Sequence, residues 1–375
     1  MEKKINNLSS LELYTTILIY MMVALVYGTF PQMTGGSDSW IITIVTICIG
    51  FVYVFLYLTL TSNFPNKTIF EINILVYGKY LGKMISILYL FVFLSLCFDT
   101  LLWFSYYVEG AVLPDSPRLL IIVLISLLSF YTIKGGIISL CRYSVILAFF
   151  TFLELIAISI LLFEDYDFSN LLPIATNTSL KDIINTAILY SDYSYGETLH
   201  IFFMFFPMIS NISDIAYKKK KNIYKILILG GIFMLIVSII NTAVIGNLSF
   251  MIRRPTLYAI SLTNIRTQFS MEVIFIIQFI AIEFFIITAI YNSIIRMTSQ
   301  LLNIKNYRLS IVPIGIIILS VYYFVFQENI SEVVYDDYYN SYWYIYFNVP
   351  IKLGLPFLTL IVIKMKKMLR TEKGR

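Results

Sequence analysis

Long runs of apolar residues separated by short polar stretches dominate the chain. Ten of these runs approach the length of about 20 apolar residues that a membrane-spanning helix requires. They lie at about 10–30, 40–61, 84–108, 119–133, 143–163, 183–209, 223–246, 271–295, 309–326 and 346–363. The sequence Ser9-Ser10-Leu11-Glu12 has the spacing of a capping box and predicts the start of the first helix. The pattern as a whole predicts an all-α integral membrane protein with about ten transmembrane helices.

The ten runs divide into two sets of five, which favours a five-plus-five inverted repeat with halves at about 10–163 and 183–363. We expect one transmembrane domain over residues 10–363, with a cytoplasmic N-terminus at 1–9 and a basic cytoplasmic tail at 364–375. Inverted repeats place their substrate at discontinuous helices in corresponding positions. The first run ends through Tyr27-Gly28-Thr29-Phe30-Pro31, and the sixth is interrupted at Ser194-Tyr195-Gly196-Glu197. Helices one and six are therefore predicted to be broken.

Composition and charge distribution agree with this pattern. The apolar set makes up 59% of the chain and charged residues only 13%, which excludes an ordinary soluble domain. The net charge is +5, and the basic residues cluster in alternate connections between the runs. If the termini lie in the cytoplasm, all but six of the 27 lysines and arginines lie on that side, as membrane topology favours. The external six would be Arg118, Lys181, Arg253, Arg254, Arg266 and Lys352.

Four acidic residues are predicted to lie inside the hydrocarbon layer: Asp99, Glu154, Glu197 and Glu283. An ionised group at this depth costs on the order of 3 kcal/mol. We expect no lysine or arginine at the same depth, so each carboxyl must be protonated, face water, or meet a cation or backbone amides. The structural alternative for each of them is a protonated hydrogen-bond donor between helices. Asp99 and Glu283 lie in runs three and eight, which correspond under the repeat.

Two further residues lie beside these acids. Trp103 follows Asp99 by four residues, and His200 follows Glu197 by three, so each shares a helical face with its neighbour. Packing in the core is the alternative for both. The sequence contains no phosphate-binding loop, metal-ligand spacing or serine–histidine–acid set. It therefore predicts no enzyme, no bound metal and no cofactor.

Several short motifs, taken in order, resemble the spore germination permease family, whose members are the B subunits of nutrient germinant receptors and belong to the amino acid–polyamine–organocation superfamily. The motifs are Asp38-Ser39-Trp40, Phe64-Pro65 with Glu71, Gly78-Lys79-Tyr80-Leu81-Gly82, Pro114-Asp115-Ser116-Pro117, Gly136-Ile137 with Leu140 and Arg142, Leu171-Leu172-Pro173, and Pro255-Thr256. The resemblance covers about residues 8–368. Members of the family usually carry a glycine in the middle of helix one. This chain has Val23-Ala24-Leu25 there, with Gly28 one turn later.

The resemblance implies a ten-helix inverted-repeat fold that senses or passes a small nutrient such as an amino acid. It also implies a germinant receptor A subunit and a lipoprotein C subunit as partners, in the spore inner membrane. The expected function is a receptor subunit that relays nutrient binding to these partners. The alternative is a free-standing cation-coupled amino acid transporter of the same fold.

The candidate nutrient-binding residues lie at the two breaks and in runs three and eight. They are Ala24, Leu25, Tyr27, Gly28, Asp99, Trp103, Gly196, Glu197, Thr198, His200 and Glu283. An amino acid carboxylate would be held by exposed backbone N–H groups at a half-helix. Its ammonium group requires carbonyls or a carboxylate such as Glu197 or Asp99.

Overall fold

The computed structural model describes residues 9–23, 29–172, 174, 178–208, 220–263, 271–325 and 346–373. Within these ranges the chain forms helices and turns, and no strand is present. The first half contains α1 (Ser10–Met22), α2 (Thr29–Gly35), α3 (Ser39–Asn63), α4 (Ile69–Tyr77), α5 (Lys79–Ala111), α6 (Arg118–Gly135) and α7 (Ile137–Leu161). The second half contains α8 (Leu180–Ser194), α9 (Lys220–Ile245), α10 (Pro255–Thr263), α11 (Met271–Leu301), α12 (Ile311–Val325) and α13 (Leu355–Lys373).

The order of elements recurs between the two halves. Each half begins with an interrupted segment, continues with a long helix (α3 or α9), a short helix of nine residues (α4 or α10), and three further apolar helices. The packing follows the same correspondence, because α3 packs on α8 as α1 packs on α9. The corresponding helices α5 and α11 pack on each other, as do α3 and α9. The predicted all-α fold is confirmed, and the recurring order of elements agrees with the predicted five-plus-five repeat.

Eight helical segments of the described chain are long and apolar enough to cross a membrane. These are Pro31–Asn63, Lys79–Ala111, Arg118–Gly135, Ile137–Leu161, Lys220–Ile245, Met271–Leu301, Tyr307–Val325 and Tyr346–Leu369. The interrupted segments that begin with α1 and α8 are shorter and complete the ten. On α6 and α7, large apolar side chains spaced by three or four residues point outward, including Leu120, Leu124, Leu127, Phe149 and Leu153, each more than half exposed. Large exposed apolar stripes mark contact with lipid or another protein, and together with the eight helices of spanning length they indicate an integral membrane protein.

Hydroxyl groups join the helices inside the bundle. Thr15 of α1 bonds Ser144 of α7 at 2.7 Å, and Ser39 of α3 bonds Thr242 of α9 at 2.6 Å. A third bond runs from Thr288 of α11 to Ser129 of α6, at 3.0 Å. Apolar burial contributes little to association between helices in lipid, so small residues and hydrogen bonds of this kind hold the helices in register.

Local sequence signals explain where several helices begin. The capping box predicted at Ser9 is present: the Ser9 hydroxyl accepts from the Glu12 N–H at 3.2 Å, and the Glu12 carboxylate accepts from the Ser9 N–H at 2.7 Å. Thr68 and Glu71 form the same motif before α4. Gly78 separates α4 from α5 with a φ of 83°, a conformation that favours glycine. Two polar motifs and one glycine thus set the boundaries of α1, α4 and α5.

The sixth segment is broken where the sequence predicts. Helix α8 ends at Ser194, a 3₁₀ turn spans Gly196–Thr198, and a π-helical turn spans Ile201–Phe205. In the first segment α1 ends at Met22 and α2 begins at Thr29. The four candidate residues of that break, Ala24, Leu25, Tyr27 and Gly28, lie outside the described residues.

Gly82 allows α5 to lie directly against α4. A Cβ atom at Gly82 would be 2.6 Å from the backbone oxygen of Asn73, which cannot move aside independently, whereas a Cβ atom at Gly135 would meet nothing within 4 Å. We predict that Gly82→Ala lowers the free energy of unfolding by about 1–3 kcal/mol, as overpacking does. Gly135→Ala is the matched control and should be neutral or slightly stabilising. Thermal unfolding of the purified protein in detergent measures both, and equal melting temperatures would contradict the close approach.

Candidate functional site

A cavity lies between the end of α1, the middle of α5, the interruption after α8, and the middle of α11. Its free volume in this arrangement is small, about 20 Å³, which is room for about one water molecule. Its lining is formed by Val23, Asp99, Thr100, Trp103, Tyr193, Glu197, Glu283 and Ile286. Four residues that the sequence singled out, Asp99, Trp103, Glu197 and Glu283, therefore meet in one place. Val23 also places the end of α1, and hence the start of the first break, at this cavity.

The three carboxyl groups of the lining are buried. The exposed fraction is 2% for Asp99, 7% for Glu197 and 0% for Glu283. No lysine or arginine belongs to the lining. Three carboxyl groups around one small space repel one another when ionised, so the lining favours protons or a cationic ligand group. Trp103 and Ile286 supply apolar surface beside them, which suits a small ligand with a cationic end and an apolar end.

Aromatic residues pack between α5 and α11 one turn beyond Trp103 and Glu283. The ring of Tyr107 on α5 lies 3.9 Å, centroid to centroid, from the ring of Phe279 on α11. Above Tyr107, the guanidinium of Arg254 lies 4.9 Å from the ring centroid, and its Nη2 donates to the Tyr106 carbonyl at 2.8 Å. This stack separates the carboxyl groups from the end of the bundle that carries Arg254.

His200 does not belong to the cavity lining, although it follows Glu197 by three residues. Its Nε2 lies 2.7 Å from the hydroxyl of Tyr20 on α1, and its Nδ1 lies 3.3 Å from the hydroxyl of Ser293 on α11. Ser293 donates to the Ala289 carbonyl, so a neutral ring with its proton on Nδ1 satisfies all three groups. Both ring nitrogens are thus used within the protein, and His200 bridges α1 and α11.

Gly196 and Thr198 form the turn itself and do not line the cavity. The Thr198 hydroxyl donates to the Tyr195 carbonyl at 2.5 Å, and the Gly196 carbonyl accepts from the Tyr57 hydroxyl at 3.2 Å. The turn is also packed tightly, since a Cβ atom at Gly50 of α3 would be 2.3 Å from the Tyr195 ring. These residues hold Glu197 in place, and Glu197 is the residue of the Gly196–Thr198 turn that lines the cavity.

The expectation that no basic residue lies at the depth of the acids was wrong. Lys352, assigned to the external side, lies in a π-helical turn (Pro350–Gly354) before α13 and is 0% exposed. Its Nζ is 2.5 Å from Oδ2 of Asp192 in the last turn of α8, and Asp192 is also 0% exposed. The Tyr53 hydroxyl donates to the other oxygen, Oδ1, at 2.7 Å.

Sequence reasoning missed this pair because each residue was judged alone. Lys352 follows Pro350 near the start of its apolar run, where a lysine side chain ordinarily extends towards the interface. Asp192 lies four residues before Gly196, in a polar stretch that was interpreted only as a helix break. The pair could have been predicted from one fact: Asp192 and Lys352 are opposite charges that both lie inside predicted spans, and charges at membrane depth occur mostly in pairs.

Glu154 on α7 lies away from the cavity. It is 5% exposed, and its carboxyl oxygens have no hydrogen-bond partner among the described residues. The geometry thus separates Glu154 from Asp99, Glu197 and Glu283, which share one space.

Comparison with known proteins identifies relatives for nearly the whole chain. The family model described as "Spore germination protein" matches residues 7–331. The chain is 25% identical over 370 residues to Spore germination protein KB of Bacillus subtilis, covering 97% of this chain and 96% of that protein. It is 24% identical over 240 residues to Spore germination protein YndE of the same organism, covering 63% of each. Spore germination protein XB of Bacillus anthracis is 27% identical over 174 residues, covering 45% of this chain and 47% of that protein.

Proposed function

We propose, from the premise that this chain belongs to the spore germination permease family, that it is the membrane subunit of a nutrient-germinant receptor. In this role it binds a small nutrient at the cavity between α1, α5, α8 and α11, whose lining opens to admit it, and relays the signal to partner subunits. The observation that carries the proposal is the meeting of Asp99, Glu197 and Glu283 beside Trp103 at the broken sixth segment. An amino acid is the nutrient class that this lining favours.

The ligand's ammonium group is held by the carboxyl groups of Glu197 and Asp99, with Glu283 opposite. Since the lining contains no basic side chain, the ligand's own carboxylate is directed to backbone N–H groups at the broken segments, as at other discontinuous membrane helices. Trp103 and Ile286 contact the side chain. The proposed site includes the first break through Ala24, Leu25, Tyr27 and Gly28. Three residues that do not line the cavity, Gly196, Thr198 and His200, hold the surrounding helices in place.

The receptor's partners are a germinant receptor A subunit and a lipoprotein C subunit, in the spore inner membrane. The ligand acts on them through its different affinities for two arrangements of the bundle. Residues 10–363 form the single transmembrane domain, both termini face the cytoplasm, and no enzymatic step is required. A second function, cation-coupled amino acid transport, is favoured by one observation only: three carboxyl groups around one cavity also suit a coupling cation.

Replacing Glu197 tests the site. Glu197→Gln keeps the size of the side chain and removes its charge. It should weaken the nutrient response by about 1.5–3 kcal/mol, the value of a hydrogen bond to a charged group. This corresponds to an increase of about 10- to 150-fold in the nutrient concentration for half-maximal germination.

Glu154→Gln is the matched control, because Glu154 is an equally buried acid of the bundle that does not line the cavity. Its dose–response should equal that of the parent at the same protein level. If Glu197→Gln left the dose–response unchanged, Glu197 would be a structural residue and not a ligand contact.

Genetics separates the two functions. We predict that the protein accumulates only in sporulating cells and that deletion abolishes germination in response to its nutrient while leaving vegetative amino acid uptake unchanged. Germination assays on purified spores and uptake of radiolabelled amino acids by growing cells measure the two effects. Loss of uptake with normal germination would support the transporter instead.

Topology is tested by labelling single cysteines in a background without Cys48, Cys97 and Cys141. Ser169, exposed between α7 and α8, should react with an impermeant maleimide from outside. Asn222, near the start of α9, should react only after the membrane is permeabilised. Labelling of Asn222→Cys in intact cells would reverse the proposed orientation.

A further inference from the structure

The pair formed by Asp192 and Lys352 lies outside the cavity but is joined to it through the backbone. Both oxygens of Asp192 are bonded, one to Lys352 and the other to the Tyr53 hydroxyl. The Tyr57 hydroxyl lies 3.2 Å from the Gly196 carbonyl and 3.2 Å from the Lys352 carbonyl. Tyr57 of α3 therefore connects the interruption after α8 to the π-helical turn before α13, and Tyr53 of α3 supports Asp192 beside it.

These contacts lie at or beside backbone that departs from the α-helix. Asp192 is in the last turn before the break, Gly196 begins the 3₁₀ turn, and Lys352 is in the middle of a π-helical turn. π-Helical turns are frequent at functional sites, where they permit a local change of register. The Tyr57 hydroxyl has one proton for two carbonyls, so it can follow either partner when the two segments separate.

Stability alone does not account for a buried ion pair. Removing two charges from solvent offsets most of their attraction, and apolar replacements of a buried pair are often neutral or stabilising. Asp192 also lies so close to Gly196 that no larger residue fits there. A Cβ atom at Gly196 would be 2.5 Å from Oδ1 of Asp192. The arrangement therefore fixes the position of the Gly196 peptide, and Glu197 is the next residue.

We propose that Asp192 and Lys352 form a latch that holds the interruption of the sixth segment in its resting arrangement, and that separating them moves Glu197 within the cavity. This inference adds a control element to the proposed function, and it rests on that function in one respect: Glu197 must contact the nutrient. Asp192 and Lys352 act as positioning residues, since neither lines the cavity. Coupling between sites is reciprocal: if nutrient binding weakens the latch, loss of the latch strengthens the nutrient response by the same factor.

The decisive variant removes both charges together. Asp192→Asn or Lys352→Met alone leaves one buried group without its partner and should reduce the amount of folded protein. The double variant carries no unpaired charge and should accumulate at the parental level. The matched control is Glu109→Gln with Arg118→Met. It neutralises a partly buried ion pair of 2.9 Å between the C-terminal end of α5 and the start of α6.

The first readout needs no nutrient. Ser194, the last residue of α8, is 1% exposed, so Ser194→Cys in the cysteine-free background reports opening at the break. In the purified protein, the double variant should raise the labelling rate by a small maleimide about 5-fold or more, a typical coupling factor. The control pair should leave the rate unchanged. Parental labelling in a normally folded double variant would reduce Asp192 and Lys352 to structural residues and overturn the latch.

The second readout is the nutrient dose–response of spores, whose half-maximal concentration should fall by about the same factor. If the cavity does not bind the nutrient, Glu197→Gln leaves the dose–response unchanged while the labelling result stands, so the two failures are distinguishable. If the double variant does not accumulate, Tyr57→Phe provides the same test with both charges retained. Faster labelling at Ser194→Cys supports the latch, and an unchanged rate contradicts it.

Discussion

A carboxyl group inside the hydrocarbon layer has to be protonated, hydrated or paired, and this requirement explains where the polar residues of the protein lie. Asp192 is paired with Lys352, and both are buried at the broken sixth segment. Asp99, Glu197 and Glu283 instead share one cavity without a basic residue in its lining. The two arrangements answer the same requirement differently: the first pairs opposite charges, and the second gathers three acids around one space.

The two arrangements meet at the interruption after α8, which explains why the break is packed so tightly. The Tyr195 ring lies against Gly50, the Thr198 hydroxyl bonds back to the turn, and the Gly196 carbonyl accepts from Tyr57. Backbone groups freed by a broken membrane helix need new partners because lipid supplies none. Tyr57 of α3 and Thr198 of the turn provide them here. The break is thus a defined structure with its own hydrogen bonds, held between the paired charges and the cavity.

The sequence predicted the helices better than it predicted the site. Runs of apolar residues set the ten segments, and the capping box at Ser9 and the break at Gly196 followed from local rules that neighbours in space do not change. Spacing correctly placed Trp103 beside Asp99. It failed for His200, because Tyr20 and Ser293, distant in sequence, determine where that ring lies. It failed for Lys352 for the same reason, since its partner comes from another helix.

The aromatic stack of Tyr107 and Phe279, with Arg254 above it, also has a kinetic meaning. A ligand that approached from that end of the bundle would meet these packed rings before it met a carboxyl group, and the rings would have to separate first. Association by such a route would be governed by the frequency of opening and would fall well below the diffusion limit. At high ligand concentration the observed binding rate then approaches the opening rate and no longer rises. The stack would thus set a maximum rate of ligand binding that does not depend on how tightly the cavity holds the ligand.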